Sequence, residues 1–586
     1  MKRVLAETLA VPNSAAMQRV ARRRLLLAGV LASSCFMAIA VQVTSLAAAG
    51  GKSAGMAQAS VGIVNNNSKG TAPFAARSAL RGDILDRNGN LLATSVPVIK
   101  LSANPTEILD AGEAAAKLAT VLHGQTEQEI LEKLQAKNKD SELHPRLTPR
   151  QYEQVMELGI PGLHMRETHA RLYPNGRTAA HILGQVDKDG RATAGLEAGM
   201  DSKLQAGMPV TLALDAGVQQ ILTREIQNQI NAFDAIGGVG VLMKISTGEI
   251  FAITSLPEYD PNHYNAADES AKFNRATKGV YEMGSTFKAI NTAMALDSGL
   301  FNATDMIDVV SPLAVGRFRI RDYHPESKPL NLAEVMVVSS NIGSARIADR
   351  LGAEYQQKYL KKLGLTEPLA LEIPETGRPL VPTPWRRTNL MTVSFGHGIS
   401  VTPVHMTAAM ATLLGDGSLV KPSLLKGGRQ DPFREIITTP QTSRTLRAIM
   451  RQVVKHPRGT ANFAETPGYP MAGKTGTAEK TVNGGYNKKA NIVSFIGAFP
   501  AHQPAYALLI MIDEPKPQKH SHGFATAGWV AAPVAKRFIQ QAAPLLGVLP
   551  IDEKAPHIRQ SLMLEMPELN KKQTDTKTEG AQHAAF

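Results

Sequence analysis

Between Leu25 and Ala49 the chain reads LLLAGVLASSCFMAIAVQVTSLAAA, with no charged residue. A helix of about 20 such residues crosses the roughly 30 Å of hydrocarbon in a bilayer. Lys2, Arg3, Arg19, Arg22, Arg23 and Arg24 stand just before it. Basic flanks stay on the cytoplasmic side, so residues 1–24 are expected in the cytoplasm, 25–49 as a single membrane anchor, and the rest of the chain outside. The competing reading is a cleaved signal peptide, with Ala47-Ala48-Ala49 as a small-residue cleavage site. The apolar run is longer than the roughly 7 to 15 residues usual for such peptides, which favours a retained anchor.

What lies outside is large. The chain has 586 residues, 43% of them hydrophobic, enough for two or more packed units. Cys35 is the only cysteine, so one chain can form neither a disulfide framework nor a cysteine-rich metal site. The net charge of +13 is spread along the sequence with acids between the bases, and neither zinc-finger spacing nor a long basic run points to nucleic acid.

Residues 50–76 are rich in Gly, Ala, Ser and Asn without periodicity and read as a flexible linker. Residues 77–210 mix short strand-like runs such as PVIKLSANP with helix-like runs such as TEQEILEKLQAK, and are expected to form an α+β pedestal. Residues 211–550 open with a long amphipathic helix after Asp215, a natural N-cap, and continue into two β-rich runs joined around Ser246-Thr247-Gly248. Two more strand-like runs, NIVSFIGAFP and AYALLIMIDEP, precede a closing helix near 531–546. Strands first and last with helical sequence between them predict an α+β domain whose ends meet in one antiparallel sheet flanked by helices. Residues 551–586, polar and poor in large apolar side chains, are expected to be disordered.

Three short patterns fall in the helical middle and the late strands. In YEMGSTFK, Ser285 and Lys288 stand three apart after Gly284, a spacing that puts both side chains on one helix face. A serine hydroxyl needs a base to become a nucleophile, and lysine can serve only if burial or a neighbouring cation lowers its pKa. In VVSSNIG, Ser339 and Asn341 fall at the bend between two helix-like runs. There the serine could relay a proton, and the asparagine amide could hold Lys288 and a substrate carbonyl. In AGKTGTAEK, Lys474 could lower the pKa of Lys288 and the hydroxyl of Thr475 could bind a carboxylate. Gly476 would let a peptide lie against the strand, and the Thr477 N–H could join that of Ser285 in an oxyanion hole. Each pattern alone also fits an ordinary structural role: an amphipathic helix, a helix cap, or a turn before an exposed strand.

Together, and in this order, S-x-x-K, S-x-N and K-T-G resemble the penicillin-recognising serine acyltransferases. ALRGDILDRNGNLLATS (79–95), RLYPNGRTAAHILG (171–184) and AGLEAGMDSKL (194–204) are similar to the pedestal of class B penicillin-binding proteins. LPEYDPN (256–262), SFGHGISVTP (394–403) and GWVAAPVAKRF (528–538) are similar to their transpeptidase domain. The resemblance implies a peptidoglycan D,D-transpeptidase with Ser285, Lys288, Ser339, Asn341 and Lys474 as catalytic residues and Thr475, Gly476 and Thr477 as substrate-binding residues. A D-Ala-D-Ala stem peptide would be donor, the amine of a second stem peptide acceptor, β-lactams would acylate Ser285, and the resemblance implies no metal or diffusible cofactor. It further implies an inner-membrane protein with a periplasmic catalytic domain at the division septum, docked on a polytopic glycosyltransferase of the shape, elongation, division and sporulation class and on other divisome proteins.

The wording of YEMGSTFK and SSNIG favours the septal over the elongation type. A β-lactamase would need a deacylating base, and Glu367, Glu372 and Glu375 lie between S-x-N and K-T-G, but nothing around them matches the class A pattern, and the anchor and pedestal also argue against it. A catalytically retired scaffold or β-lactam sensor should have lost a motif, and none is lost. His397, between two glycines, reads as a turn residue; Arg81, Asp86 and Arg87 read as structural contacts; His520 and His522 read as a solvated loop rather than a metal pair.

Overall fold

The computed structural model describes residues 80–564 apart from 138, 317, 430–433 and 483–484. The expected cytoplasmic segment, anchor and linker lie outside these residues. Among the described residues, no helix is long and apolar enough to cross a membrane.

The pedestal begins with β1 (Ile84–Leu85) and β2 (Leu91–Ala103), followed by helices α1 (Ala111–Val121) and α2 (Glu127–Leu134). Asp110 caps α1, and Thr126 with Glu129 forms a capping box on α2. Strands β3 (Ser141–Leu147), β4 (Leu163–Leu172) and β5 (Val210–Thr211) complete its sheet, in the order β3-β2-β1-β5 with β4 also paired to β2. Leu101, Leu118, Leu122, Ile130 and Leu143 form a small core at its far end.

The second region starts with α3 (Ala216–Phe233), whose first turn is capped by Asp215 through Val218 N at 3.0 Å. A hairpin of β6 (Gly237–Lys244) and β7 (Ile250–Leu256) follows, then α4 (Phe287–Asp297), α5 (Leu332–Val337), α6 (Asn341–Leu351), α7 (Pro403–Leu414) and α8 (Pro440–Lys455). The chain returns through β8 (Ala472–Val482), β9 (Gly485–Phe499), β10 (Tyr506–Asp513), α9 (Ala532–Leu545) and α10 (Pro556–Ser561). The sheet order is β8-β9-β10-β6-β7, so the first and last strands meet as expected, Leu508 opposite Leu242. Every residue of β7 and β10 is buried because helices cover both faces. Helices α3 and α9 pack on each other and on the sheet, while α7 lies against β6, β9 and β10 and α8 against β8.

One core runs through the junction of the two regions. Ile84, Leu92, Ile182, Leu196 and Leu204 of the pedestal belong to the same cluster as Val241, Phe251 and Leu508. Arg81, Asp86 and Arg87 make structural contacts there. The fully buried Glu197 receives Arg81 Nε at 2.5 Å and Arg171 Nε at 2.6 Å. Asp86 accepts from Asn88 N and Asn90 N at 2.8 Å each, and the Arg87 guanidinium lies 3.7 Å from the centre of the Phe251 ring.

The expected disorder after residue 550 is corrected for residues 551–564. Ile558, Leu562 and Leu564 are buried in the main core, and Glu553 pairs bidentately with Arg451 of α8 at 2.7 and 2.8 Å. Arg451 also holds Glu465 on the approach to β8, so a wholly buried guanidinium is matched by two carboxylates. The remainder of the predicted tail lies outside the described residues. His520 and His522 pack edge-on against Phe233 and Trp529.

Candidate active site

Gly284 turns the chain into the site with φ of 52°, and Gly284–Thr286 forms a 3₁₀ turn that runs into α4. In such a turn residues three apart eclipse, which aligns Ser285 with Lys288. Most of α4 is buried, so Lys288 in its first turn is carried into the interior at 2% exposure while Ser285 stays half-exposed. Lys288 Nζ lies 3.0 Å from Ser285 Oγ, 3.0 Å from Ser339 Oγ and 2.6 Å from the Ser339 carbonyl oxygen. An ammonium donates to all three. A neutral amine donates two and accepts one, and the serine hydroxyl can supply that proton.

Burial pulls the Lys288 pKa down to about 7, against an opposing pull from the charge of Asp322. Lys474, wholly buried on β8, donates to Ser339 Oγ at 2.9 Å and to the Thr475 carbonyl at 3.0 Å. Its pKa is pushed well down, first by burial and then by Lys288. Two ammonium groups converging on one hydroxyl oxygen in a dry site repel each other strongly. Burial is the first cause of the low pKa at both lysines, and the expected pressure of Lys474 on Lys288 is a repulsion that the two amines share.

Ser339 reaches both lysines through a left-handed backbone, φ 63°, between α5 and α6. This conformation costs about 1–3 kcal/mol for a residue with a Cβ, and the bonds from both lysines hold it in place. Asn341 does not hold Lys288 as expected. Its amide donates to the Arg321 carbonyl at 3.2 Å, and the lysine rests on the Ser339 main chain instead. Asp322, absent from the sequence reading, accepts from Ser340 Oγ at 2.5 Å and Ile342 N at 2.9 Å, capping α6 behind the bend. An isolated acid in RDYHP carries no pattern that would have revealed it.

Strand β8 closes the other side. Thr475 turns its hydroxyl away to Thr460 Oγ1 at 2.6 Å and is buried, while Thr477 is exposed. Thr475, expected to offer its hydroxyl to a carboxylate, is thus turned inward, and of the two threonines Thr477 is the one open to solvent. A Cβ on Gly476 would sit 2.5 Å from the Met283 carbonyl, so this glycine lets β8 press against the turn that carries Ser285. A Cβ on Gly284 would likewise sit 2.6 Å from the Thr477 carbonyl. The main chains of Ser285 and Thr477 are therefore neighbours, the arrangement an oxyanion hole needs. Of the three glutamates named for a hydrolytic base, two are engaged elsewhere and one is exposed. Glu375 accepts from Gly195 N at 3.1 Å, Glu372 from Ser423 Oγ at 2.8 Å, and Glu367 is exposed.

Residues 238–540 match the family model of the penicillin binding protein transpeptidase domain, and residues 76–208 that of the penicillin-binding protein dimerisation domain. The chain is 37% identical to the "Probable peptidoglycan D,D-transpeptidase FtsI" of Caulobacter vibrioides, over 80% of this chain and 82% of that one. The chain belongs to the class B penicillin-binding proteins. This penicillin-binding protein is also 28% identical to the peptidoglycan D,D-transpeptidase FtsI of Escherichia coli, over 77% of its own length and 82% of the relative's. Its fold is that of penicillin binding protein 3 from Mycobacterium tuberculosis, solved with ampicillin, with a TM-score of 0.65 at 24% identity over 82% of this chain and 98% of the other.

Proposed function

We propose that this protein cross-links peptidoglycan as a septal D,D-transpeptidase, with Ser285 as its acylated nucleophile. The observation that carries the reading is Lys288 Nζ, buried and 3.0 Å from both Ser285 Oγ and Ser339 Oγ. Ser285 attacks the carbonyl of the penultimate D-alanine and passes its proton to Lys288. The oxyanion lies between the N–H groups of Ser285 and Thr477. Ser339 relays a proton toward the departing D-alanine, with Lys474 holding its hydroxyl. The amine of a second stem peptide then attacks the acyl carbon, its proton passes to Lys288 and from there to the departing Ser285 Oγ, and the free serine and neutral lysine are regenerated. Thr477 receives the terminal carboxylate, Asn341 lies at the cleft beside the bend, and the peptide pairs with β8. A β-lactam enters the first step but leaves its amine tethered, so the ester persists.

The FtsI names of the relatives support the septal over the elongation role. The apolar run at 25–49 supports an inner-membrane anchor with a periplasmic catalytic domain, and the pedestal supports docking to a polytopic glycosyltransferase and other divisome proteins. Fluorescent penicillin provides the test: wild type should take up one stable label per chain and Ser285→Ala none. Equal labelling of the two would remove Ser285 from the chemistry, and rapid turnover of the label would mean a β-lactamase.

A further inference from the structure

The turn that carries Ser285 is backed by a second segment, residues 396–401. Tyr281 and Val401 exchange backbone hydrogen bonds at 2.9 and 3.0 Å. One step closer to the serine, Gly398 N donates to Glu282 Oε1 at 2.9 Å and His397 Nδ1 lies 3.2 Å from Glu282 Oε2. At the end of the row the Gly396 main chain meets Gly284 so closely that a Cβ on Gly396 would be 2.1 Å from the Gly284 carbonyl oxygen. Gly396 and Gly398, at φ 78° and 80°, form the sharp double turn that presents His397 to Glu282.

The Gly284 carbonyl and the Ser285 N–H belong to one planar peptide unit and point in opposite directions. Whatever fixes the carbonyl therefore aims the N–H. The carboxylate and the imidazole approach within 3.2 Å, Oε2 to Nδ1, a contact that attracts when the nitrogen facing the carboxylate carries a proton. The Glu282 side chain is 12% exposed and that of His397 41%, so water screens the contact from the histidine side only.

We infer that Glu282 and His397 form a clamp that seats the 396–398 turn on Gly284 and so sets the direction of the Ser285 N–H toward the developing oxyanion. Both are positioning residues rather than catalytic ones. The inference rests on the reading of Ser285 as the acylated serine.

The clamp acts on the transition state, where the oxyanion exists, and little on the initial non-covalent complex. Acylation by a fluorescent penicillin, followed across concentration, separates the limiting rate from the binding constant. His397→Ala should lower the limiting rate on the order of tenfold, less than the roughly 100-fold of a 1 Å misplacement, with binding unchanged. His397→Asn, whose amide can replace the Nδ1–H donor, should restore the rate to within about twofold of wild type. Glu282→Gln, close in shape and expected to fold, should be slowed like His397→Ala, and the double variant should be no slower than either single one.

A wild-type limiting rate in His397→Ala, an Asn variant as slow as the Ala variant, or additive losses in the double variant would each overturn the clamp while leaving Ser285 as the acylated residue. Labelling that survives Ser285→Ala would remove the underlying reading and the clamp together.

Discussion

Lys288 can work near neutrality only because it is dry. Burial lowers its pKa from the ordinary 10.5 of a lysine to about 7, and the proposed base is the neutral form. The sign follows directly: below pH 7 the amine is protonated and cannot accept from Ser285, above it the amine is neutral and competent. The limiting acylation rate should rise about tenfold per pH unit up to about pH 7 and then level, with pH 6 giving roughly a tenth of the plateau. A rate still climbing past about pH 9 would show a lysine with its ordinary pKa and would end this account of the base. Ser285, Lys288, Ser339 and Lys474, which the structure brings together, stood out in the sequence only because S-x-x-K, S-x-N and K-T-G occur together and in order, each alone fitting an ordinary structural role as well. The partners of Asn341 and Thr475 were not, because Arg321 and Thr460 stand far off in the chain and carry no motif of their own.

At the scale of elements, the long capped helix after Asp215, the hairpin around Gly248 and the two late strands were readable from periodicity and turn chemistry. That β10 would pair with β6 followed only from strands standing at both ends, and the register had to come from the structure. The short tail helix, Pro556–Ser561, left no period to read because it is barely more than a turn and a half long and Ile558 is its one large apolar side chain. The meeting of β8 with the serine turn also left no trace beyond a glycine. Gly476→Ala would place a methyl 2.5 Å from the Met283 carbonyl and 2.8 Å from Thr286 Cγ2. It should destabilise the protein by about 1–3 kcal/mol and slow acylation about 100-fold, measured by thermal melting and penicillin labelling. A variant that labels at the wild-type rate would mean that β8 can retreat without disturbing Ser285.

The whole molecule is held together across distances that no local pattern announces. A chain ending at Pro550 loses Glu553 from Arg451 and three buried side chains, Ile558, Leu562 and Leu564. Each buried aliphatic side chain contributes about 1.5–3 kcal/mol, so the melting temperature of the shortened chain should fall by at least about 5 °C. An unchanged melting temperature would show that the tail adds nothing to the core. The strand order carries a different consequence. Because β8 is outermost, with a neighbour on one side only, a peptide that docks there is held by repeating N–H and C=O groups and not by its side chains. Docking is then generic, and discrimination falls to which carbonyl arrives at Ser285. A catalyst built on an open strand edge selects by how fast a bound chain reacts, not by how firmly it is gripped.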